Sequence, residues 1–226
     1  MKLLIIEDEK TLADSICEYL LQEGHVCEKV MNLVNAEAKI DLYEYDCVIV
    51  DIGLPDGSGL DIIKKLKQKD SETGIIIVSA RNALMDKIYG LEIGADDYLT
   101  KPFHLSELNA RLKSVIRRRN FKGSNEIFCN ELIVSPENME VFVNKKPVLL
   151  TKKEFALLLY FIANKNRVIT KESIAEHLWG DNFDLVDSFD FIYTHIKNLR
   201  RKLLEQGCAD YIQTVYGMGY KFNLSV

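Results

Sequence analysis

Five short apolar runs, each followed by a stretch of helical periodicity, fill the first half of this 226-residue chain. The runs are residues 3–6, 26–30, 47–50, 75–78 and 98–99. The helix-period stretches lie near 10–22, 33–41, 58–69, 83–93 and 104–119. The runs are apolar almost throughout rather than alternating, so both faces of the sheet they form must be covered. Strand followed by helix, five times over, therefore predicts an α/β domain: a doubly wound, five-stranded parallel sheet. Gly24 and Gly94 stand where helix C-caps belong. In the last helix Leu105, Leu108, Leu112, Val115 and Ile116 make an apolar stripe, and Glu107, Arg111, Ser114 and Arg118 a polar one.

The second half follows a different pattern. Arg117-Arg118-Arg119 runs into the polar stretch 120–125, which contains a Gly-Ser break and reads as a linker between a domain at 1–119 and another at 126–226. Strand-like pieces near 126–134 and 139–149 come first. Thr151-Lys152-Lys153-Glu154 is a capping box ahead of an apolar helix. A helix near 171–178 and a long one near 188–205 follow. Tyr216-Gly217-Met218-Gly219 then joins two strand-like pieces as a β-hairpin. Three helices closed by a hairpin predict an α+β winged helix-turn-helix.

Composition limits the function. With 47% apolar and 28% charged residues and no apolar run near membrane length, a soluble protein without a membrane partner is expected. Met1-Lys2 leads straight into a strand with no signal-peptide pattern, and the five cysteines are odd in number and lack a CxxC pair. Both point to a cytoplasmic protein with reduced thiols and no zinc. Residues 1–120 hold 16 Lys and Arg against 21 Asp and Glu, whereas residues 121–226 hold 13 against 13. The first half can thus favour a cation, and any nucleic-acid surface on the second must be local, with a shallow salt dependence.

In open α/β sheets, ligands bind at the carboxyl edge. Glu7 and Asp8 follow the first strand, Asp51 the third, Ser79 the fourth and Lys101 the fifth. Three carboxylates would repel one another and raise each other's pKa values unless a cation such as Mg²⁺ sat among them. With one, Asp51 stays ionised and can attack phosphorus, Lys101 supplies a cation to the phosphoryl group, and Ser79 a hydroxyl.

These residues sit in Ile5-Ile6-Glu7-Asp8-Glu9, Asp51-Ile52-Gly53-Leu54-Pro55-Asp56-Gly57-Ser58-Gly59, Ser79-Ala80-Arg81 and Gly94-Ala95-Asp96-Asp97-Tyr98-Leu99-Thr100-Lys101-Pro102-Phe103. On them the first ~120 residues resemble a response-regulator receiver domain, and the whole chain resembles the OmpR/PhoB group of two-component transcription factors. The resemblance implies a flavodoxin-like fold and phosphorylation of Asp51 by a sensor histidine kinase. It implies Mg²⁺ on Glu7, Asp8, Asp51 and the Gly53 carbonyl, a Ser79–Tyr98 switch pair, and a cis Lys101–Pro102 bond. It further implies a receiver homodimer bridged by Lys87 with Glu107, Asp97 with Arg111 and Asp96 with Arg118.

The long helix of the second half is the candidate DNA reader. Ile192, Ile196, Leu199 and Leu203 form its buried stripe, and Asp190, Thr194, Lys197, Asn198 and Arg201 share the other face, flanked by Arg200 and Lys202. Such a face enters the major groove while flanking cations hold phosphates. Residues 195–203, Trp179-Gly180 and the wing Gly217-Met218-Gly219-Tyr220 match the group. Asp190-Phe191, Asn198 and Tyr216 depart from its commoner residues, which leaves the operator sequence open. In the resembled group the loop at 180–187 can touch RNA polymerase. Two other readings compete. One is a phosphoesterase forming an aspartyl-phosphate, which usually carries a second acid two residues after the nucleophile, where Gly53 stands here. The other is a receiver whose second domain binds protein rather than DNA. The expectation is a regulator, not an enzyme, with only its own phosphorylation and dephosphorylation as chemistry.

Overall fold

The computed structural model describes residues 1–69, 72–81, 83–121, 126–136, 138–180 and 190–225. The chain divides into two compact units, Met1–Arg119 and Asn120–Val226.

In the first unit the apolar runs become strands β1 (Lys2–Ile6), β2 (Val26–Val30), β3 (Cys47–Asp51), β6 (Gly74–Ser79) and β7 (Asp97–Thr100). A small antiparallel hairpin, β4 (Gly53–Leu54) with β5 (Gly57–Ser58), lies between β3 and the next helix. The helices are α1 (Lys10–Gln22), α2 (Leu33–Leu42), α3 (Gly59–Gln68), α4 (Leu84–Glu92) and α5 (Leu105–Phe121). The last extends two residues beyond the sequence expectation, to Phe121, so the residues of the expected linker that are described are helical. The large sheet has the order β2-β1-β3-β6-β7, every pair parallel. This is the flavodoxin-like order, and its switch point lies between β1 and β3.

Alternation along each strand sends side chains to two cores. Leu4, Ile6, Val48, Val50, Ile75 and Ile77 pack on one face with Ile62, Ile63 and Leu66 of α3. Leu3, Ile5, Ile49 and Ile76 are buried on the other, as are Ile16 and Leu20 of α1 and Leu108, Leu112 and Val115 of α5. Gly24 (φ 88) and Gly94 (φ 114) end α1 and α4 in the left-handed region, as the sequence predicts.

In the second unit the two strand-like pieces resolve into a four-stranded antiparallel sheet: β8 (Ile127–Cys129), β9 (Leu132–Ser135), β10 (Glu140–Val143) and β11 (Lys146–Pro147). Asn144 and Lys145, both at positive φ, make the tight turn between the last two. Helices α6 (Lys152–Ala163), α7 (Lys171–Trp179) and α8 (Asp190–Glu205) surround one core, and β12 (Val168–Ile169), β13 (Ile212–Val215) and β14 (Gly219–Phe222) form a second sheet. β12 was not anticipated: it is two residues long and exists through pairing with β14. That pairing requires Gly219, because a Cβ there would lie 2.1 Å from the Ile169 carbonyl oxygen. The capping box forms in full at Thr151 and Glu154.

Candidate functional site

β1 and β3 are neighbours with Ile6 opposite Val50, so Glu7 and Asp51 leave the sheet side by side. Glu7 (2% exposed) and Asp51 (8%) are buried, and Asp8 is exposed. Carboxylate oxygens of the three lie within 4.8 Å of one another. The Lys101 ammonium bridges two of them, 2.6 Å from Asp51 Oδ2 and 2.7 Å from Glu7 Oε2. The Lys101 N–H donates to the Ser79 carbonyl at 2.9 Å, continuing the β6–β7 pairing and setting Lys101 at the same edge; the bond to Pro102 is cis.

Burial pushes the Glu7 carboxyl up, with Lys101 pulling against it. Burial alone would lower the Lys101 ammonium, but hydrogen bonds to Asp51 and Glu7 outweigh that and raise it. The charges are thus compensated inside the chain, by a lysine held where an incoming anion would also meet it. The Gly53 N–H donates to Asp51 Oδ1 at 3.0 Å, so the position where a phosphoesterase would usually carry its second acid offers only backbone.

Ser79 is 2% exposed, and its Oγ accepts from the Arg81 N–H at 3.2 Å. The Tyr98 ring is already inside, 8% exposed, and its hydroxyl donates to the Arg81 carbonyl at 2.9 Å. Gly90 makes room for it: a Cβ there would stand 2.7 Å from Ile77 Cδ1 and 3.2 Å from the Tyr98 ring. Ser79 and Tyr98, the pair expected to act as a switch, both bond to the backbone of Arg81, a contact the motif alone does not display.

Four of the six residues assigned to a dimer face pair within one chain. Arg111 holds Asp97 at 3.0 Å and Glu107 at 2.9 Å. The Asp96 carboxylate is taken by Arg119 at 2.7 Å and also accepts from the Ile75 N–H at 2.8 Å. Arg118 donates only to the Asp96 carbonyl, at 3.1 Å. Arg119 lies seven residues beyond Leu112 and four beyond Val115, so it continues the inward stripe, whereas Arg118 points to solvent. Lys87 is half-buried on α4.

On α8 the stripe Ile192, Ile196, Leu199 and Leu203 is buried. Thr194, Lys197 and Arg201 are exposed, Asn198 is half-buried, and Tyr216, at the wing tip, is 93% exposed. The cations expected to flank this face are engaged within the domain. Arg200 is ion-paired with Asp210. Lys202 lies 2.7 Å from Glu154, a carboxylate only 2% exposed. The Lys202 pairing depends on where α6 packs on α8, which no local pattern reveals. His195 lies beside the Trp179 ring, 5.6 Å between centroids, and burial lowers its pKa. The described part of the 180–187 loop is Gly180; the remainder lies outside the described residues.

A further tie, not among the sequence expectations, starts from the turn between β4 and β5. Asp56, between β4 and β5, accepts from the Leu33 and Val34 N–H groups at 2.7 and 3.0 Å. It thereby caps α2 together with Asn32, whose side chain accepts from the Asn35 N–H at 2.9 Å, and the bonds from Leu33 and Val34 lower the Asp56 pKa. A helix N-terminus without acidic residues in its first turn is the signal that could have pointed to it.

Comparison with known proteins follows the same division. A model described as "Response regulator receiver domain" matches residues 3–113, and one described as "Transcriptional regulatory protein, C terminal" matches 145–222. The transcriptional regulatory protein PmrA of Pectobacterium parmentieri is 36% identical over 220 residues, covering 97% of this chain and 96% of that protein. The regulatory protein VanR of Enterococcus faecium is 38% identical over 227 residues, covering 97% of each. Among solved structures, the receiver domain of the Francisella response regulator 1452 aligns with a TM-score of 0.50 at 32% identity, over 52% of this chain and 97% of that one. No described helix is long and apolar enough to cross a membrane. Two whole-length relatives, two domain matches in order and the parallel β2-β1-β3-β6-β7 sheet agree: the chain belongs to the two-component response regulators of OmpR/PhoB type, transcriptional regulators that join a receiver to a DNA-binding domain.

Proposed function

We propose that Asp51 is the phosphoryl acceptor and that its modification controls pairing of receivers and, through it, promoter binding. The observation that carries this is the bridge of Lys101 to Asp51 and Glu7 inside a cluster of three carboxylates. The donor set fits Mg²⁺: hard carboxylate oxygens close enough to share one ion, with an exposed member, Asp8, that leaves room for water. Glu7, Asp8, Asp51 and the Gly53 carbonyl would hold it, and it would neutralise charge building on the phosphoryl oxygens.

An Asp51 oxygen attacks the phosphorus of a phosphohistidine on the sensor kinase. The phosphorus–nitrogen bond breaks, and its electron pair stays on the imidazole. Lys101 exchanges an Asp51 oxygen for a phosphoryl oxygen, and Ser79 gives up Arg81 to donate its hydroxyl to the same group. Tyr98, already indoors on the Arg81 carbonyl, fills the space that Ser79 leaves. A complete shift of such a surface needs about 5.5 kcal/mol of differential stabilisation, of which phosphoryl contacts to Lys101 and Ser79 are the source.

The outcome is exchange of ion pairs. Arg111–Asp97, now internal, would be remade across a two-fold axis, joined by Lys87–Glu107 and Arg118–Asp96. Each exposed pair contributes only ~0–1 kcal/mol, so these bridges select the partner and its register more than they set affinity. Residues 1–119 act as receiver, 120–125 as linker and 126–226 as DNA reader. Thr194, Lys197, Asn198 and Arg201 meet the major groove and Tyr216 the backbone beside the wing, with Arg200 and Lys202 at the margin of the footprint. The loop at 180–187 is available to RNA polymerase. Five free cysteines accord with a reducing, cytoplasmic setting.

The test is phosphorylation by a small acyl-phosphate donor with Mg²⁺, read by intact mass. Wild type should gain one phosphoryl group and Asp51→Asn none. Equal labelling of Asp51→Asn would overturn the assignment.

A further inference from the structure

Two cysteines of the first unit face each other across the α1–β2 boundary. β2 is the edge strand of the sheet, neighboured only by β1. Cys27 and Lys29 are two residues apart on β2 and so share one face of the pleat. Asp14 and Cys17 are three apart on α1 and so share one face of the helix. Asp14 pairs with Lys29, so Cys17, three residues further along the helix, and Cys27, two residues back along the strand, are neighbours beside that ion pair. Cys17 keeps 9% of its surface and Cys27 is half-buried at the sheet edge, so a molecule the size of a peroxide needs no large opening to arrive.

We propose that Cys17 and Cys27 are a hydroperoxide-responsive thiol pair that oxidises to a disulfide joining helix α1 to edge strand β2. The chemistry is consistent with their surroundings. Interaction with the neighbouring Cys27 thiol holds Cys17 down to about 7, Lys29 adding to the effect against the opposing influence of burial. The same interaction and burial push Cys27 up, which keeps it a thiol. One member is therefore a nucleophile near neutral pH and the other a resolving thiol.

The Cys17 sulfur attacks one peroxide oxygen. The O–O bond breaks and, with the proton, leaves as water or alcohol, so that Cys17 becomes a sulfenic acid. The Cys27 sulfur attacks the Cys17 sulfur, the S–O bond breaks, and water leaves. The peroxide is reduced and the two thiols lose two hydrogens. The remaining cysteines lack this arrangement: burial raises Cys47, Cys129 and Cys208, the last to about 12.

The full chain itself provides the assay. No Lys or Arg lies between residues 11 and 28, so one tryptic peptide, 11–29, carries both cysteines. After hydrogen peroxide and then N-ethylmaleimide, that peptide should be two hydrogens lighter than its sequence mass and carry no maleimide. Cys27→Ser should leave the Cys17 sulfenic acid unresolved, captured by a cyclic dione at several times the level seen on Cys129 or Cys208. Cys17→Ser should leave Cys27 fully alkylated. Two maleimides on the wild-type peptide under conditions that oxidise a free thiol would overturn the proposal. So would dione capture in Cys27→Ser no greater than at the buried cysteines, because the serine hydroxyl keeps a hydrogen-bond donor beside Cys17 and Lys29 stays in place.

Discussion

Replacing Lys202 with methionine separates a structural lysine from a DNA-contacting one. In the native domain its ammonium sits 2.7 Å from Glu154, whose side chain is 3% exposed, while the lysine itself is 25% exposed. Glu154 also accepts the Thr151 N–H at 2.8 Å, a bond the variant keeps. Removing one partner of a fully buried pair costs roughly 3–5 kcal/mol. The partly wet lysine and the surviving capping bond reduce this to about 2 kcal/mol, a midpoint drop on the order of 10 °C for a domain of this size.

Trp179 is the only tryptophan and lies in the second unit, so its fluorescence reports that unit within the intact chain. The pH dependence has a definite sign. Burial would raise Glu154, but Lys202 and the capping bonds prevail and hold it below 4.5. Its contribution is therefore present above pH 4.5 and lost as pH falls through the lowered folded value. In Lys202→Met burial prevails instead, so the deficit against wild type is largest at neutral pH and narrows toward pH 4. Glu154→Gln should remove most of the additional effect of Lys202→Met when the two are combined. In DNA titrations the salt slope of Lys202→Met should equal that of wild type, whereas Arg201→Ala should lose about one unit. An unchanged Trp179 midpoint together with a slope smaller by about one would refute the structural role and return Lys202 to the phosphate contacts.

Three further outcomes test other parts of the molecule. Arg111→Glu should leave phosphorylation intact but abolish phosphate-driven dimerisation in sedimentation, because the charge reversal sets like charges against both Asp97 and Glu107; an unchanged dimer constant counts against the two-fold face. Gly59→Ala should cost about 3 kcal/mol in denaturant unfolding and slow phosphorylation, since its Cβ would fall 1.9 Å from the Asp51 carbonyl oxygen and must displace that strand end; wild-type values in both assays would show that the contact is readily relieved. Asp56→Ala should lower the unfolding midpoint and speed amide exchange at Leu33 and Val34, whose N–H groups it accepts; native protection there would disprove the cap.

Much of the site was legible because strand ends mark it. A parallel strand apolar on both faces can place a polar side chain only where it leaves the sheet, so Glu7, Asp51, Ser79 and Lys101 are visible as interruptions in hydrophobic runs. Their convergence follows once the order of β1, β3, β6 and β7 is known, and the βαβ grammar restricts that order to few choices. The buried stripe of α8 was legible for a similar reason, since one helix face must meet the core whatever packs against it.

By itself, then, the sequence determined the two-domain grammar, the parallel sheet with its edge of charged residues, the capping box at Thr151 and the apolar side of α8. These are local or periodic properties, set by φ/ψ preference and by the need to bury one face. Only the tertiary structure decided which charge meets which. Arg119 rather than Arg118 takes the Asp96 carboxylate, Lys202 turns inward to Glu154, Asp56 caps a helix 23 residues earlier in the chain, and Cys17 meets Cys27. A long side chain can choose among several partners within its reach. The packing of one element on another, which no window of sequence contains, makes that choice.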